Sequence, residues 1–427
     1  MEPRMIQPLK SSKTTWFVYW LDLEEPVPAN GDYFLPTLLI VSDSSGAPLS
    51  APEVLEELDQ LRVENYLLKL FDKFGAPDRL AVGVSEDWDD EAWTAFAQEN
   101  RVEIRFQKFD RSGPDELHAL AKSVVMRFSG DAKNEPQRKD VARGLVNTAL
   151  RTRSARKKLA LLRTALDRDA DCSTARIELA DVEFQNGNWK ACLAGYDEVI
   201  SREMPRWRER TTAWWIDRAT RPLLRAIYGR AMTLWHQGQH SHAADQFEAM
   251  LEMNPRDNQG VRFFIPLLHL LAEDQEAATA FFERYEKDYA RDYGEPSFLF
   301  GWAFSLFQDG HEAEAKRRYQ EAILKNIYIA PMLLELTEPN RAIWHPNDRA
   351  EPNYAGEFID SYAVLWDREA GALRLLREVW EEMQPRLERI VAHRERMIDF
   401  QDQRFEPDYK KQWQQLVEDD EKLTALE

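Results

Sequence analysis

Asp22, Glu86 and Asp87 stand where a phosphoryl-transfer centre would keep its acids. "TWFVYWLDL" reads as a strand running into Asp22, and Glu86-Asp87 follow the strand-like "RLAVGV". Carboxylates gathered at one edge of a sheet can hold two metal ions, which stabilise the attacking and leaving oxygens of an in-line displacement. That chemistry needs a third acid from a later helix, and Glu116 is the residue available. The plainer account is that such loop carboxylates cap the helix opening at "DDEAW" by accepting its unpaired N–H groups. It is the preferred one, and no catalytic residue or cofactor is assigned. His236, His240 and His242 in "WHQGQHSHAAD" pose the same choice. Two histidines four apart on one continuous helix can share a zinc ion. Gly238 reads as a turn between them, so no metal site is assigned either.

Other residues suit binding rather than reaction. The segment 203–222 carries Trp207, Trp214 and Trp215 among Arg206, Arg208, Arg210, Arg218 and Arg221. Guanidinium groups stack on indole faces and grip carboxylates or phosphates with two parallel donors. The segment is read as an inserted helix whose tryptophans dock inward, with a ligand-binding wall as the alternative. Residues 138–166 hold nine Lys or Arg and one acid, Asp140. They are read as a solvated helix face, with an acidic partner or the protein's own acidic surface as alternatives. The formal net charge of −19 disfavours unspecific attraction to nucleic acid or anionic lipid.

The elements that must position these residues follow from composition and pattern. A chain of 427 residues is expected to form two or three domains. With 17 Gly, 44% hydrophobic and 31% charged residues, helices are favoured over a strand-rich barrel. Cys172 and Cys192 make no disulfide framework and no metal pair. No secretory signal core and no long apolar run occur, so a soluble cytoplasmic protein without a membrane partner is expected.

Residues 1–130 alternate strand and helix signals, which implies a small layered α/β domain. "FLPTLLIVSD", "RLAVGVSED" and "VEIRFQKFD" join the first segment as strands. "PEVLEELDQLRVENYLLKLFDKFG", "DDEAWTAFAQEN" and "PDELHALAKSVVMRF" read as helices, the first with Leu55, Leu58, Leu61, Leu68 and Phe71 at core spacing. "SGDAKNEPQRKD" (129–140) reads as a linker. Beyond it strand signals stop: helical repeats are expected over 131–330 and a helical C-terminal cap over 331–427, making the whole α+β.

"YGRAMTLWHQGQHSHAADQFEAMLEMNP" sets the repeat. Ala231 precedes Leu234, Gly238 marks a turn, and Ala243, Phe247 and Pro255 follow. Small residues serve where two helices cross closely, the aromatic fills toward the next pair, and proline ends the second helix. Ala277 and Phe281 lie 34 residues after Ala243 and Phe247, and Ala315 lies 38 beyond Ala277. Cys192 precedes Ala243 by 51, an excess of 17 that falls in the Arg/Trp segment. "EMNPRDNQGVRFF" then reads as a corner. Asn254-Pro255 close one pair, Asp257 caps the next helix, and Gly260 in its first turn allows close approach. Arg262 is expected on the inner face.

This pattern resembles the tetratricopeptide repeat, two antiparallel helices in about 34 residues. The run from Thr220 to Leu268 resembles a segment of bacterial tetratricopeptide proteins. It is also similar to the suppressor-of-tumorigenicity-seven family, the likeness extending over about 205–380. Thr220-Arg221-Pro222, Arg225-Ala226, Gly229, Leu234-Trp235, Gly238, Asn254-Pro255, Asp257-Asn258-Gln259-Gly260 and Arg262 carry it, while Leu223 stands where an aromatic is more usual. The resemblance implies a binding solenoid with no established chemistry. "KFGAPDRLAVGVSEDW" is similar to the second-acid segment of integrases, which implies a ribonuclease-H-like domain.

The expectation is therefore a non-catalytic scaffold whose concave face takes a protein or peptide segment, an acidic one included. Tyr228, Trp235 and Arg262 are its expected groove residues, and Arg221, Trp214 and Trp215 its flanking wall. The alternative is a metal-dependent nuclease in the first domain, with the repeats as adaptor. A third reading makes the first domain a second binding module.

Overall fold

The computed structural model describes residues 14–29, 32–85, 88–108, 138–208, 214–289, 295–401 and 408–426. The chain divides into two compact units, 1–182 and 183–427. The described residues are mostly helical with a small mixed five-stranded sheet, an α+β combination. None of their helices is long and apolar enough to cross a membrane.

The first unit opens with β1 (Thr15–Asp22), β2 (Val27–Ala29), β3 (Asp32–Phe34), β4 (Thr37–Ser42), β5 (Glu53–Leu55), α1 (Gln60–Phe74), β6 (Arg79–Gly83), α2 (Asp90–Asn100) and β7 (Glu103–Gln107). The sheet order is β5-β4-β1-β6-β7, while β2 and β3 form a separate hairpin. β1 runs antiparallel to β4 and parallel to β6. Side chains alternate across a strand, so Trp16 and Val18, Leu39 and Val41, and Leu80 and Val82 share one buried cluster. α1 and α2 cover it with Val63, Leu67, Leu70, Trp93 and Phe96.

α1 departs from the sequence reading. It starts at Gln60 because Asp59 caps it, accepting the Arg62 N–H at 3.0 Å. Residues 53–55, expected as helix, pair instead with β4 as an edge strand. Leu61 and Leu68, expected inside, are 66% and 39% exposed, and Val63, Tyr66, Leu67 and Leu70 are buried instead. "PDELHALAKSVVMRF" lies outside the described residues.

α3 (Arg138–Arg151) and α4 (Ala155–Arg168), which the sequence assigns to linker and repeats, fall in the first unit. They enclose an apolar cluster of Val141, Leu145, Leu161 and Leu162 with Leu35. Thr148 donates to the Tyr33 carbonyl at 2.6 Å, and Arg151 pairs with Asp32 at 2.7 Å. The Asn147 amide, with Arg151 beside it, holds the Asp32 carboxyl below its usual range. α5 (Ser173–Gln185) runs across the division between the units.

The second unit continues with α6 (Trp189–Trp207), α7 (Arg221–His236), α8 (His240–Met253), α9 (Ile265–Leu271), α10 (Gln275–Asp288), α11 (Pro296–Gln308) and α12 (Glu312–Lys325). It closes with α13 (Ile329–Leu333), α14 (Pro352–Asp367), α15 (Ala370–Gln401) and α16 (Tyr409–Thr424). Four of its turns are built alike. Gly187, Gly238, Glu273 and Gly310 hold positive φ of 71°, 72°, 61° and 81°. The following N–H groups of Asn188, Gln239, Asp274 and His311 reach back to Glu183, Leu234, His269 and Leu306 carbonyls, each at 2.9 Å. This closure satisfies helix-end carbonyls and needs one left-handed residue.

Five residues after each left-handed residue comes a small one at 0% exposure: Cys192, Ala243, Ala278 and Ala315. Nine after comes an aromatic: Tyr196, Phe247, Phe282 and Tyr319, none more than 2% exposed. The third register thus falls on Ala278 and Phe282, one residue beyond the expected Ala277 and Phe281. Glu273 occupies the left-handed position there, so the glycine that marks the other turns is missing from the sequence. Gly229 of α7 answers the packing question directly: a Cβ there would stand 2.4 Å from the Tyr196 ring of α6.

Candidate functional site

α7, α9 and α11, each the helix before one of these turns, all touch α14. Trp235 meets Tyr362 at 5.6 Å between ring centroids, Phe300 meets Phe358 at 5.6 Å, and Phe304 meets Trp366 at 5.1 Å. Trp366 also donates its indole N–H to the Tyr319 hydroxyl at 2.9 Å. Phe358, Tyr362 and Trp366 lie four apart, on one helix face, and none exceeds 4% exposure. Burial drives the Tyr362 phenol well above its usual pKa. The face expected to form an open groove is therefore filled by the chain's own helix.

That corrects two expectations. Trp235 faces Tyr362 and Phe264 rather than an open groove, and Tyr228 packs on Phe247 at 5.6 Å, its phenol raised by burial. Nor is the C-terminal region only a cap. α15 does pack on α12, but α14 lies against three earlier helices. α16 is fastened to α15 by a buried pair, Arg394 with Asp420 at 2.8 Å, both side chains at most 4% exposed.

Arg262 is corrected as well. Asp257 accepts the N–H groups of Val261 at 2.9 Å and Arg262 at 3.0 Å, and the Arg262 guanidinium at 2.8 Å. That guanidinium lies 4.1 Å from the Phe263 ring centroid. The arginine thus braces the corner that "EMNPRDNQGVRFF" makes, and is spent there. Asp257 caps the next turn as expected. Gly260 is needed for its φ of 73° rather than for close approach in a helix.

The Arg/Trp segment is described from Trp214 onward and up to Arg208. Trp207 is buried at 2%, and Trp214 and Trp215 are partly buried against the main core of the unit. Arg221 stands over the Trp215 ring at 5.0 Å. Beside them Ile216 is 69% exposed. Arg218 and Arg221 are exposed, and neither makes an ion pair with a described residue.

In the first unit, Asp22 accepts the Thr37 hydroxyl at 2.7 Å and pairs with Arg156 at 2.8 Å. Its position at the end of β1 was legible; its partners were not. Glu86, Asp87 and Glu116 lie outside the described residues. The basic strip turns part of its charge onto the unit's own carboxylates, Arg151 to Asp32 and Arg156 to Asp22. His236 ends α7 while His240 and His242 open α8, on two elements as expected, and the His236 ring stacks on Trp189 at 5.8 Å. Among the described residues no group of three His, Cys, Asp or Glu is placed to hold a metal ion.

One residue escaped the sequence reading. Lys157 lies within the basic strip, yet it is buried, and desolvation lowers its ammonium pKa to about 8. Nothing in its local sequence separates it from its half-buried neighbours Arg156 and Lys158. Compared with known proteins, the chain matches no family model and no curated protein.

Proposed function

We propose that the protein is a non-catalytic binding scaffold, its second unit a tetratricopeptide-like solenoid that takes a protein or peptide segment. The recurrence of one turn geometry with a buried small residue and a buried aromatic at fixed offsets supports the solenoid. The resemblance of the run from Thr220 to Leu268 to tetratricopeptide proteins, read from the sequence alone, is consistent with it. The concave face of such a run is already taken by α14. The partner surface is therefore the flank, where exposed Ile216 follows Trp214 and Trp215 in the chain and Arg221 stands over Trp215.

The observation that carries this reading is the combination found there. A 69% exposed isoleucine sits beside a guanidinium–indole pair and two arginines without a carboxylate among the described residues. Such a patch suits a segment with an apolar anchor and acidic neighbours, because interface energy concentrates in aromatic and Arg anchors. The nuclease reading draws no support from Asp22, whose oxygens are engaged by Arg156 and Thr37.

The test compares the full chain with a Trp215→Ala/Arg221→Ala variant as baits, with capture quantified by mass spectrometry. Loss of two anchors should reduce recovery of the partner at least about tenfold, with the helical circular-dichroism signal unchanged. Recovery of the same proteins in the same amounts would remove the flank from the account.

A further inference from the structure

A cleft of about 1090 Å³ opens in the first unit between the end of β1 and one side of α4. Arg156, Lys157, Ala160, Arg163 and Thr164 line it from α4, as positions three, four and seven apart on a helix share a face. Leu21, Leu23 and Leu35 supply an apolar wall.

The charges in this cleft do not close. Asp22 is one carboxylate serving two cations, 2.8 Å from Arg156 and 4.0 Å from Lys157, and Glu57 adds only a weaker counter-charge to Lys157. The Lys157 side chain is only 7% exposed, and its Nζ donates to a neutral group, the Thr37 hydroxyl, at 3.0 Å. Arg163, about two turns beyond Arg156, makes no ion pair with a described residue. Arg168 by contrast is matched by Glu25 at 3.0 Å. Glu24 and Asp167 also line the cleft, yet its lining holds five cations against four carboxylates in a chain of net charge −19. A buried ammonium is costly without a full counter-charge, and guanidinium groups hold oxyanions with two parallel donors.

We infer that this cleft is a binding site for a small organic oxyanion. Its charged group sits among Arg156, Lys157 and Arg163, and its apolar body lies against Leu21, Leu23 and Leu35. Phosphate monoesters and carboxylates share this recognition chemistry. The site is independent of the flank in the second unit.

Isothermal titration of the full chain in a phosphate-free buffer tests the site. Four probes are used: phenyl phosphate, benzoate, and the fragments inorganic phosphate and phenol. Phenyl phosphate or benzoate should bind with a Kd below about 1 mM and more tightly than either fragment, and the tighter of the two names the oxyanion. Arg163→Glu, at an exposed position that the fold tolerates, should weaken binding at least about tenfold. Lys157→Met should weaken it too, with circular dichroism checking its fold, and if that variant does not fold Arg163→Glu decides. Trp215→Ala/Arg221→Ala should leave binding unchanged. Absence of heat with all four probes, or equal binding by Arg163→Glu and the wild type, overturns the site.

Discussion

Lys157 gives the first unit a pH signature. Burial lowers its pKa from 10.5 to about 8, while the unfolded chain keeps the ordinary value. Between those two values the unfolded state binds a proton that the folded state has released, so stability rises with pH there. Below about 8 both states are protonated, and the desolvation cost is fully felt. Relative to Lys157→Met, the wild type should gain roughly 3 kcal/mol between pH 7.5 and 10.5, read from urea midpoints. A constant difference across that range would contradict the burial of this amine. Arg262 makes a second residue-scale test. Asp257→Ala removes a carboxylate partner of a largely buried guanidinium together with two backbone caps, so it should cost about 3 kcal/mol. An unchanged melting temperature would return Arg262 to the surface. Neither role is legible in the sequence. Lys157 depends on Thr37 and Asp22, 120 and 135 residues away, and a lysine inside a basic run reads as solvated.

At the scale of elements, local signals carried far and failed in identifiable places. The turns at Gly187, Gly238 and Gly310 announce themselves, because only glycine adopts a left-handed conformation without strain. At Glu273 the same conformation persists without the glycine, so the register read from the sequence falls one residue early. That slip is testable. Ala278→Leu should destabilise by about 1–3 kcal/mol, since its site is fully closed, while Ala277→Leu should stay within about 0.5 kcal/mol. The reverse order would restore the original register. α1 went astray for a different reason. Apolar residues at helical spacing continue upstream of its true start, and the Asp59 cap that ends the pattern is one acid among several. α3 and α4 read correctly as helices but not as members of the first unit, because a helix face does not name the surface it will cover.

For the molecule as a whole, the sequence indicated an α/β region followed by paired helices, and read its last hundred residues only as a cap on the repeats. The aromatic spacing Phe358, Tyr362 and Trp366 marks one apolar face of α14, but only the fold shows that this face lies across α7, α9 and α11. We propose that this self-occupied inner face directs a partner to the Arg/Trp flank. Hydrogen–deuterium exchange of the intact protein in solution measures this most directly. The amides of Pro352–Asp367 should exchange as slowly as those of Arg221–His236, opening only with unfolding of the unit. Exchange of Pro352–Asp367 on the timescale of a frayed, solvent-exposed helix, with Arg221–His236 still protected, would show the inner face open and contradict the account.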